Sequence, residues 1–170
     1  MKPAVYVGTY GKYNRGSLAG EWVDLTQFSD IDEFYEYIRR LHKDEKYPEF
    51  MFQDYEDIPK VLITESYISP AIWDLMNADV EMDVIFALAD YLKDEDELVE
   101  VIENGYYTVY YDVDSDSDLG YEIVENVYGG IENLGQDTLE RYFDYEYFGR
   151  DMSLNGTFIP FEGGMIELQY

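Results

Sequence analysis

Carboxylate side chains crowd the stretch between Lys60 and Arg141, and they are the groups in this chain that could do chemistry. The stretch holds twenty-one Asp and Glu residues and a single base, Lys93. Carboxylates can ligate metal ions, serve as general acids and bases, or take the place of phosphates at a cationic surface. Interleaved Lys and Arg normally relieve repulsion between surface acids. Their near-absence here calls for a functional explanation.

The densest acidic run, residues 94–103, has the spacing of a charged helix face. Asp96, Glu100 and Glu103 fall on one stripe, and the apolar residues between them fall on the opposite face. Carboxylates one helical turn apart are separated by about 5–6 Å, similar to consecutive phosphates of a nucleic-acid strand. A single acidic helix is usually only a solvated face, but that explanation weakens over eighty residues with one Lys. The pattern therefore favours imitation of a phosphate backbone.

We predict a phosphate-mimicking surface that binds a basic partner, including proteins that normally hold DNA. The net charge of −27 equals that of about 13–14 base pairs of duplex DNA. Direct binding to nucleic acid or to an anionic membrane is not expected, because both repel such a chain. The candidate residues are Glu81, Asp83, Asp90, Asp94, Glu95, Asp96, Glu97, Glu100, Glu103, Asp112, Asp114, Asp116, Asp118, Glu122 and Glu125.

Calcium binding by residues 114–125 is the alternative use of these acids. Counted from Asp114, acids occupy positions 1, 3, 5, 9 and 12 of a twelve-residue segment, close to an EF-hand loop. Position six is Leu119 where that loop needs glycine, and Gly120 comes one place late. A loop of solvated aspartates is the simpler interpretation. An acidic calcium-binding module remains the alternative function.

No catalytic constellation stands out in the sequence. A glycosidase needs two carboxylates at a defined separation, but among 38 acids such pairs arise by chance. His42, the single histidine, follows two arginines near a predicted helix end and is expected to be a surface cation or a partner of the helix dipole. There is no cysteine, phosphate-binding glycine loop or nucleophile motif. We therefore expect neither an enzyme nor a bound cofactor or metal.

Composition predicts a folded protein despite the charge. The chain of 170 residues is 46% hydrophobic and 18% aromatic, whereas disordered acidic chains lack aromatic residues. Residues 1–60 hold eight Lys and Arg against twelve Asp and Glu, a balance of −4, and residues 61–170 hold three against twenty-six, a balance of −23. Because the N-terminus does not resemble a signal peptide and no apolar run could span a membrane, we expect a cytoplasmic protein.

Periodicity and turn residues predict an α+β fold in three parts. Residues 1–60 should form an α+β unit, with strands over 4–10, 18–25 and 49–55, a turn over 11–17 and a helix capped by Ser29. Residues 61–104 should form a helical bundle, with helices over 70–77, 80–93 and 94–104. Residues 105–170 should form a second α+β unit. It should begin with a strand over 106–111 and a loop that leads into a helix over 119–128. A helix opened by Asp137 and Glu140 should stop at Gly149, and strands 157–161 and 165–170 should form a closing hairpin.

Two stretches resemble the ArdA antirestriction protein family. One is Tyr-Val-Gly-Thr-Tyr-Gly-Lys-Tyr-Asn-Arg-Gly-Ser-Leu at 6–18, continued by Gly-Glu-Trp-Val-Asp-Leu at 20–25. The other is Tyr-Phe-Asp-Tyr-Glu-Tyr-Phe-Gly-Arg-Asp-Met at 142–152, which is similar to the family's C-terminal signature. The two motifs occur in this order across nearly the full length, and the acidity and the helical middle part agree with the family.

The resemblance implies a DNA mimic encoded by mobile genetic elements. Such a protein occupies the DNA-binding groove of the methyltransferase core of type I restriction-modification enzymes and so protects incoming unmodified DNA. It also implies an elongated chain of three small subdomains in a row that forms a homodimer through its C-terminal region, here residues 105–170.

Overall fold

The chain divides into two units in its structure, a computed structural model that describes residues 2–134 and 143–169. The first unit comprises Met1–Ile85 and Lys93–Glu95, and the second comprises Phe86–Leu92 and Asp96–Tyr170. Seven α-helices and two small antiparallel sheets lie in the described residues, so the predicted α+β class is confirmed. The elongated shape and the three subdomain boundaries remain predictions.

A three-stranded antiparallel sheet begins the first unit. Its strands are β1 (Ala4–Thr9), β2 (Glu21–Asp24) and β3 (Phe50–Glu56), in the order β2-β1-β3. Val5 on β1 lies opposite Val23 on β2. Val5 and Val7 are fully buried, as expected for alternate residues of a strand that points one face into a core. All three predicted strands of this unit are confirmed.

The first unit contains α1 (Tyr10–Asn14), α2 (Ile31–Leu41) and α3 (Ala71–Asn77), and α2 meets α3 at one aromatic side chain. Phe34 of α2 is fully buried, and its ring centroid lies 6.2 Å from that of Phe52 and 5.9 Å from that of Trp73. These ring contacts tie α2 to β3 and to α3, because large aromatic side chains contribute the most buried apolar area.

Two predictions about the first unit are wrong. Residues 11–17 do not form a simple turn, because Thr9 caps α1: its Oγ1 accepts a hydrogen bond from the backbone N–H of Lys12 at 3.1 Å. The cap of α2 is Asp30 and not Ser29, since Asp30 Oδ1 accepts from the N–H of Glu33 at 2.9 Å. Glu33 in turn accepts from the N–H of Ser29, which closes a reciprocal capping arrangement.

The acidic middle of the chain contains two further helices, α4 (Met82–Leu92) and α5 (Glu95–Asn104). Both confirm predicted helices, and α3 confirms the one predicted over 70–77. Gly105 follows α5 with φ of 65°, the left-handed conformation that commonly ends a helix. On α5 the apolar face is deeply buried.

The second unit joins a three-stranded sheet to two helices. Its strands are β4 (Tyr107–Tyr111), β5 (Phe158–Phe161) and β6 (Gly164–Leu168), antiparallel in the order β4-β6-β5, and its C-terminal helices are α6 (Asp116–Asn126) and α7 (Tyr145–Asn155). Buried Tyr110, Val113, Leu119 and Ile123 form the core, against which partly buried Phe148 and other apolar residues pack. The predicted strand over 106–111 and the closing hairpin are confirmed.

Helices α6 and α7 cross at a pair of glycines. Gly120 of α6 and Gly149 of α7 are both buried. A Cβ atom added at Gly149 would overlap the carbonyl oxygen of Asp116, and one added at Gly120 would overlap the carbonyl oxygen of Tyr145. The two backbones therefore approach more closely than any side chain permits.

This crossing corrects the prediction that a helix stops at Gly149. Helix α7 runs through Gly149 to Asn155, because the glycine is there to admit α6 and not to end a helix. The helix begins after Asp144, whose Oδ1 accepts from the N–H of Tyr147 at 2.9 Å. The predicted capping residues Asp137 and Glu140 lie outside the described residues. Helix α6 begins three residues before the predicted Leu119.

Within residues 2–134 and 143–169, no helix combines the length and the apolar character needed to cross a bilayer.

Replacing Gly149 with Ala should destabilise the protein. Alanine favours a helix interior over glycine by about 1 kcal/mol, but here the added methyl group meets backbone that cannot rotate away. We expect Gly149→Ala to lower the free energy of unfolding by about 1–3 kcal/mol, as overpacking does, measured by urea denaturation. Arg150→Ala, at an exposed neighbouring position on α7, is the control and should change it by less than about 0.5 kcal/mol. A more stable Gly149→Ala variant would contradict the close crossing.

Candidate partner-binding surface

The fifteen predicted carboxylates all reach solvent in the structure. Ten of them are exposed, five are half-buried and none is buried. The half-buried five are Glu95, Glu97, Asp116, Glu122 and Glu125. In the first unit lie Glu81, Asp83, Asp94 and Glu95, and in the second lie Asp90, Asp96, Glu97, Glu100, Glu103, Asp112, Asp114, Asp116, Asp118, Glu122 and Glu125. Whether these residues bind a partner stays a prediction.

Helix α5 sorts its charged and apolar residues onto opposite sides. Leu98 is fully buried, and Val101 and Ile102 are also in the core. Asp96, Glu100 and Glu103 therefore face outward and are exposed, in the stripe that the sequence predicts. Burial of each of these apolar side chains contributes about 1.5–3 kcal/mol, whereas each like-charge pair on the helix costs a few tenths of a kcal/mol. The burial energy of the apolar face therefore exceeds the repulsion between the carboxylates, and the helix holds them at a fixed spacing.

Helix α6 presents a second set of carboxylates by the same division. Ser115 caps the helix: its Oγ accepts from the N–H of Asp118 at 3.2 Å and donates to Asp118 Oδ2 at 2.6 Å. Leu119, Ile123 and Val124 are buried. Asp118, Glu122 and Glu125 recur at one-turn spacing on the other side of the helix. Glu122 also accepts a hydrogen bond from Asn126.

Glu95 differs from the other candidates because it helps to hold the first unit together. Its Oε1 accepts from the buried Ser69 hydroxyl at 2.6 Å and from the Tyr67 hydroxyl at 3.1 Å. Ser69 Oγ also accepts from the N–H of Ala71 at 3.0 Å, at the start of α3. Within the first unit, the carboxylate therefore links residue 95 to the start of α3. The pattern of acids in the sequence does not distinguish the structural role of Glu95 from the roles of its acidic neighbours. The only sequence signal at this site was the serine before Pro70, which predicts the start of a helix.

Cations and acids are paired in the part of the sequence that precedes the acidic stretch. Lys12 Nζ lies 3.0 Å from an Asp44 carboxylate oxygen, and Arg15 pairs with Glu45. These contacts lower the pKa of Asp44 and of Glu45. From residue 61 to residue 134 the only base is Lys93. The electrostatic potential over that stretch is therefore set almost entirely by carboxylates.

The structure gives no support to the calcium alternative. Residues 116–126 form α6, so the acids from Asp116 to Glu125 are spread along a helix and cannot wrap an ion as a loop does. Within the described part of the chain, no three His, Asp or Glu side chains are grouped so as to hold a metal ion. The prediction of an acidic loop is right only for residues 112–115.

His42 is buried, which corrects the prediction of a surface cation. Its side chain is 1% exposed, with Nδ1 2.9 Å from Lys12 Nζ and Nε2 3.3 Å from the carbonyl oxygen of Val7. The lysine ammonium donates to Nδ1, so Nε2 carries the proton and donates to the carbonyl. Burial and, next, the Lys12 charge lower the pKa of His42. The neutral ring joins α1 and α2 to β1 and supplies no charge to the dipole of α2.

Stability should fall as His42 is forced to take up a proton. Because its pKa in the folded state lies below the unfolded value of 6.5, the unfolded chain binds more protons between the two values, and stability is lost as pH falls from about 6.5 through the folded pKa. We expect wild type to lose more free energy of unfolding than His42→Gln between about pH 7.5 and 5.5, measured by urea denaturation at each pH. Parallel curves for the two proteins would show that His42 is not the group responsible.

Comparison with known proteins gives one match that covers most of the chain. The sequence model of a family described as "Antirestriction protein (ArdA)" matches residues 5–167. No curated protein matches the chain. The match includes both units, the acidic stretch and the two motifs noted in the sequence.

Proposed function

The chain belongs to the ArdA family of antirestriction proteins, and from this membership and its surface we propose how it acts. It mimics the charge and shape of B-form DNA, occupies the DNA-binding groove of type I restriction-modification enzymes, and so protects incoming unmodified DNA. The observation that carries the proposal is the outward stripe of carboxylates on helices whose other faces are buried. This action needs no catalytic step and no cofactor.

The spacing of the carboxylates supports mimicry of a phosphate backbone. On α5, Asp96, Glu100 and Glu103 recur at about 5–6 Å, and on α6 the same interval separates Asp118, Glu122 and Glu125. Lys and Arg side chains that bind phosphates of DNA can bind these carboxylates through charge-assisted hydrogen bonds. A protein of net charge −27 also attracts a basic groove over long range and so associates rapidly.

Competition with DNA tests the proposal directly. We expect the protein to displace a labelled duplex from a purified type I methyltransferase, with an inhibition constant that weakens at least about tenfold between 50 and 200 mM salt. The measurement is fluorescence anisotropy of the duplex across a salt series. Saturable binding of the protein that leaves the duplex bound would rule out occupation of the DNA groove.

Charge-neutralised variants provide the control for that competition. Single Asn or Gln substitutions among the fifteen should change the inhibition constant little, because many weak contacts share the energy. Neutralising Asp96, Glu100, Glu103, Asp112 and Asp114 together should weaken it by roughly tenfold or more. The matched control neutralises five exposed acids elsewhere, namely Asp32, Glu36, Glu49, Glu56 and Glu162. If both sets weakened inhibition equally, the interaction would depend on the net charge of the protein and not on the position of its acids.

We also propose that the protein is a homodimer that associates through its second unit. The support is a set of exposed apolar side chains on the C-terminal helices: Tyr121 is 53% exposed, Tyr147 72% and Leu154 78%. Exposed apolar side chains of this size can be buried in a contact with a second copy of the chain. Family membership further implies an origin in a mobile genetic element and action in the cytoplasm, where cell fractionation would locate it.

Sedimentation equilibrium tests the dimer. Wild type should sediment at twice the mass of one chain, and Leu154→Asp should shift the equilibrium toward the monomer, because a charge would be buried in the contact. Leu18→Asp is the matched control, since Leu18 is 68% exposed but lies in the first unit. A monomeric wild type at micromolar concentration would contradict the proposal.

A further inference from the structure

A groove in the first unit is separate from the fifteen carboxylates. Its volume is about 580 Å³, which is the size of a small-ligand site. Tyr6 of β1, Tyr13 of α1, Phe52 and Gln53 of β3, and Glu65 line it. The groove thus gathers residues from the sheet, from the first helix and from the segment after β3.

Hydrogen bonds and ring contacts fix the walls of the groove. The Tyr6 hydroxyl donates to the carbonyl oxygen of Leu18 at 3.0 Å, and its ring meets that of Trp22 edge to face at a centroid distance of 5.7 Å. The N–H of Phe52 donates to the carbonyl oxygen of Glu65 at 2.8 Å, which holds the Glu65 backbone beside β3. These contacts hold the Tyr6 ring and the Glu65 backbone in place, so part of the groove wall is ordered before a ligand binds.

The lining offers acceptors and aromatic faces to a ligand. Glu65 is exposed, and within the described residues its carboxylate makes no hydrogen bond or ion pair. Gln53 adds an amide oxygen, and Tyr13, 50% exposed, adds a ring and a hydroxyl. Of the described residues that line the groove, none is cationic. Such a lining complements a flat cation that can both stack and donate.

We propose that the groove binds an arginine side chain of a basic protein partner. The guanidinium stacks on a tyrosine ring and donates to the Glu65 carboxylate, in the planar geometry that arginine offers and lysine does not. This inference rests on the proposed function for the presence of a basic partner, and it adds a localised contact to an otherwise diffuse attraction. The first sixty residues of the first unit are nearly balanced in charge. The groove would let this unit also contact the basic partner.

Titration with a short peptide tests the groove independently of any restriction enzyme. The probe is acetyl-Ala-Arg-Ala-amide, and its control replaces arginine with citrulline, a neutral side chain of nearly the same shape. We expect the arginine peptide to shift the ¹H–¹⁵N NMR signals of Tyr6, Tyr13 and Phe52 saturably in the full chain, and the citrulline peptide to shift them little. Shifts that concentrate on residues 81–125 would overturn the proposal, as would equal binding of both peptides.

Paired variants define which groups bind the peptide. Glu65→Gln and Tyr13→Ala should each weaken its binding by roughly threefold to tenfold, through loss of a charge-assisted hydrogen bond and of a stacking face. Glu36→Gln and Tyr47→Ala remove the same chemistry at exposed positions outside the groove, Tyr47 being 82% exposed, and should leave binding unchanged. Equal losses in test and control variants would overturn the proposal.

The same variants in the DNA-competition assay separate this inference from the proposed function. If both hold, Glu65→Gln weakens displacement of DNA from the methyltransferase by a similar factor and Glu36→Gln does not. If the protein binds the arginine peptide in the groove but leaves DNA on the enzyme, the proposed function fails and the groove stands. If it displaces DNA and the groove variants behave as wild type in both assays, the groove inference fails alone.

Discussion

Repulsion among 38 carboxylates is the constraint on which the design of this chain depends. Only 11 Lys and Arg oppose them, and three of those follow residue 60. Each acidic helix meets the constraint by burying one apolar face and turning its charges to the other side, as Leu98 and Glu100 do on α5. The apolar contribution is several times larger than the helix-level repulsion. The fold and the charged surface therefore depend on the same alternation of residues.

Local capping offsets part of the repulsion where the acids are densest. Carboxylates in the first turn of a helix interact favourably with its dipole, and Asp116 and Asp118 of α6 and Glu95 of α5 occupy such places. Asp118 and Glu95 also accept hydrogen bonds there, from Ser115 and Ser69. Part of the acidity thus stabilises the elements that present the rest of it. These residues have a structural use that a count of charges does not show.

Periodicity in the sequence was enough to predict the α+β class and most elements, because local spacing decides them. It failed where a distant segment decides. The sequence predicts a helix end at Gly149, but this glycine lies inside α7, where its missing side chain lets α6 pack closely. The sequence predicts a surface cation at His42, but β1 and α1 cover this side chain. The groove residues Tyr6, Tyr13 and Glu65 come from three separated segments. No single stretch of the sequence predicts the groove, whereas the acidic stripe can be predicted from the residues of one helix.

The stripe on α5 also bears on how such proteins diverge. Asp and Glu both place a negative charge on the outer face of the helix, and a shift of the stripe by one turn preserves the spacing. Selection for charge alone therefore leaves the outer positions free to drift, whereas Leu98 on the inner face is held by packing. Relatives of this chain should be recognised from their interiors and their glycine crossing while their surfaces become dissimilar. The binding surface proposed for the acidic stripe would therefore keep its charge while its sequence changes.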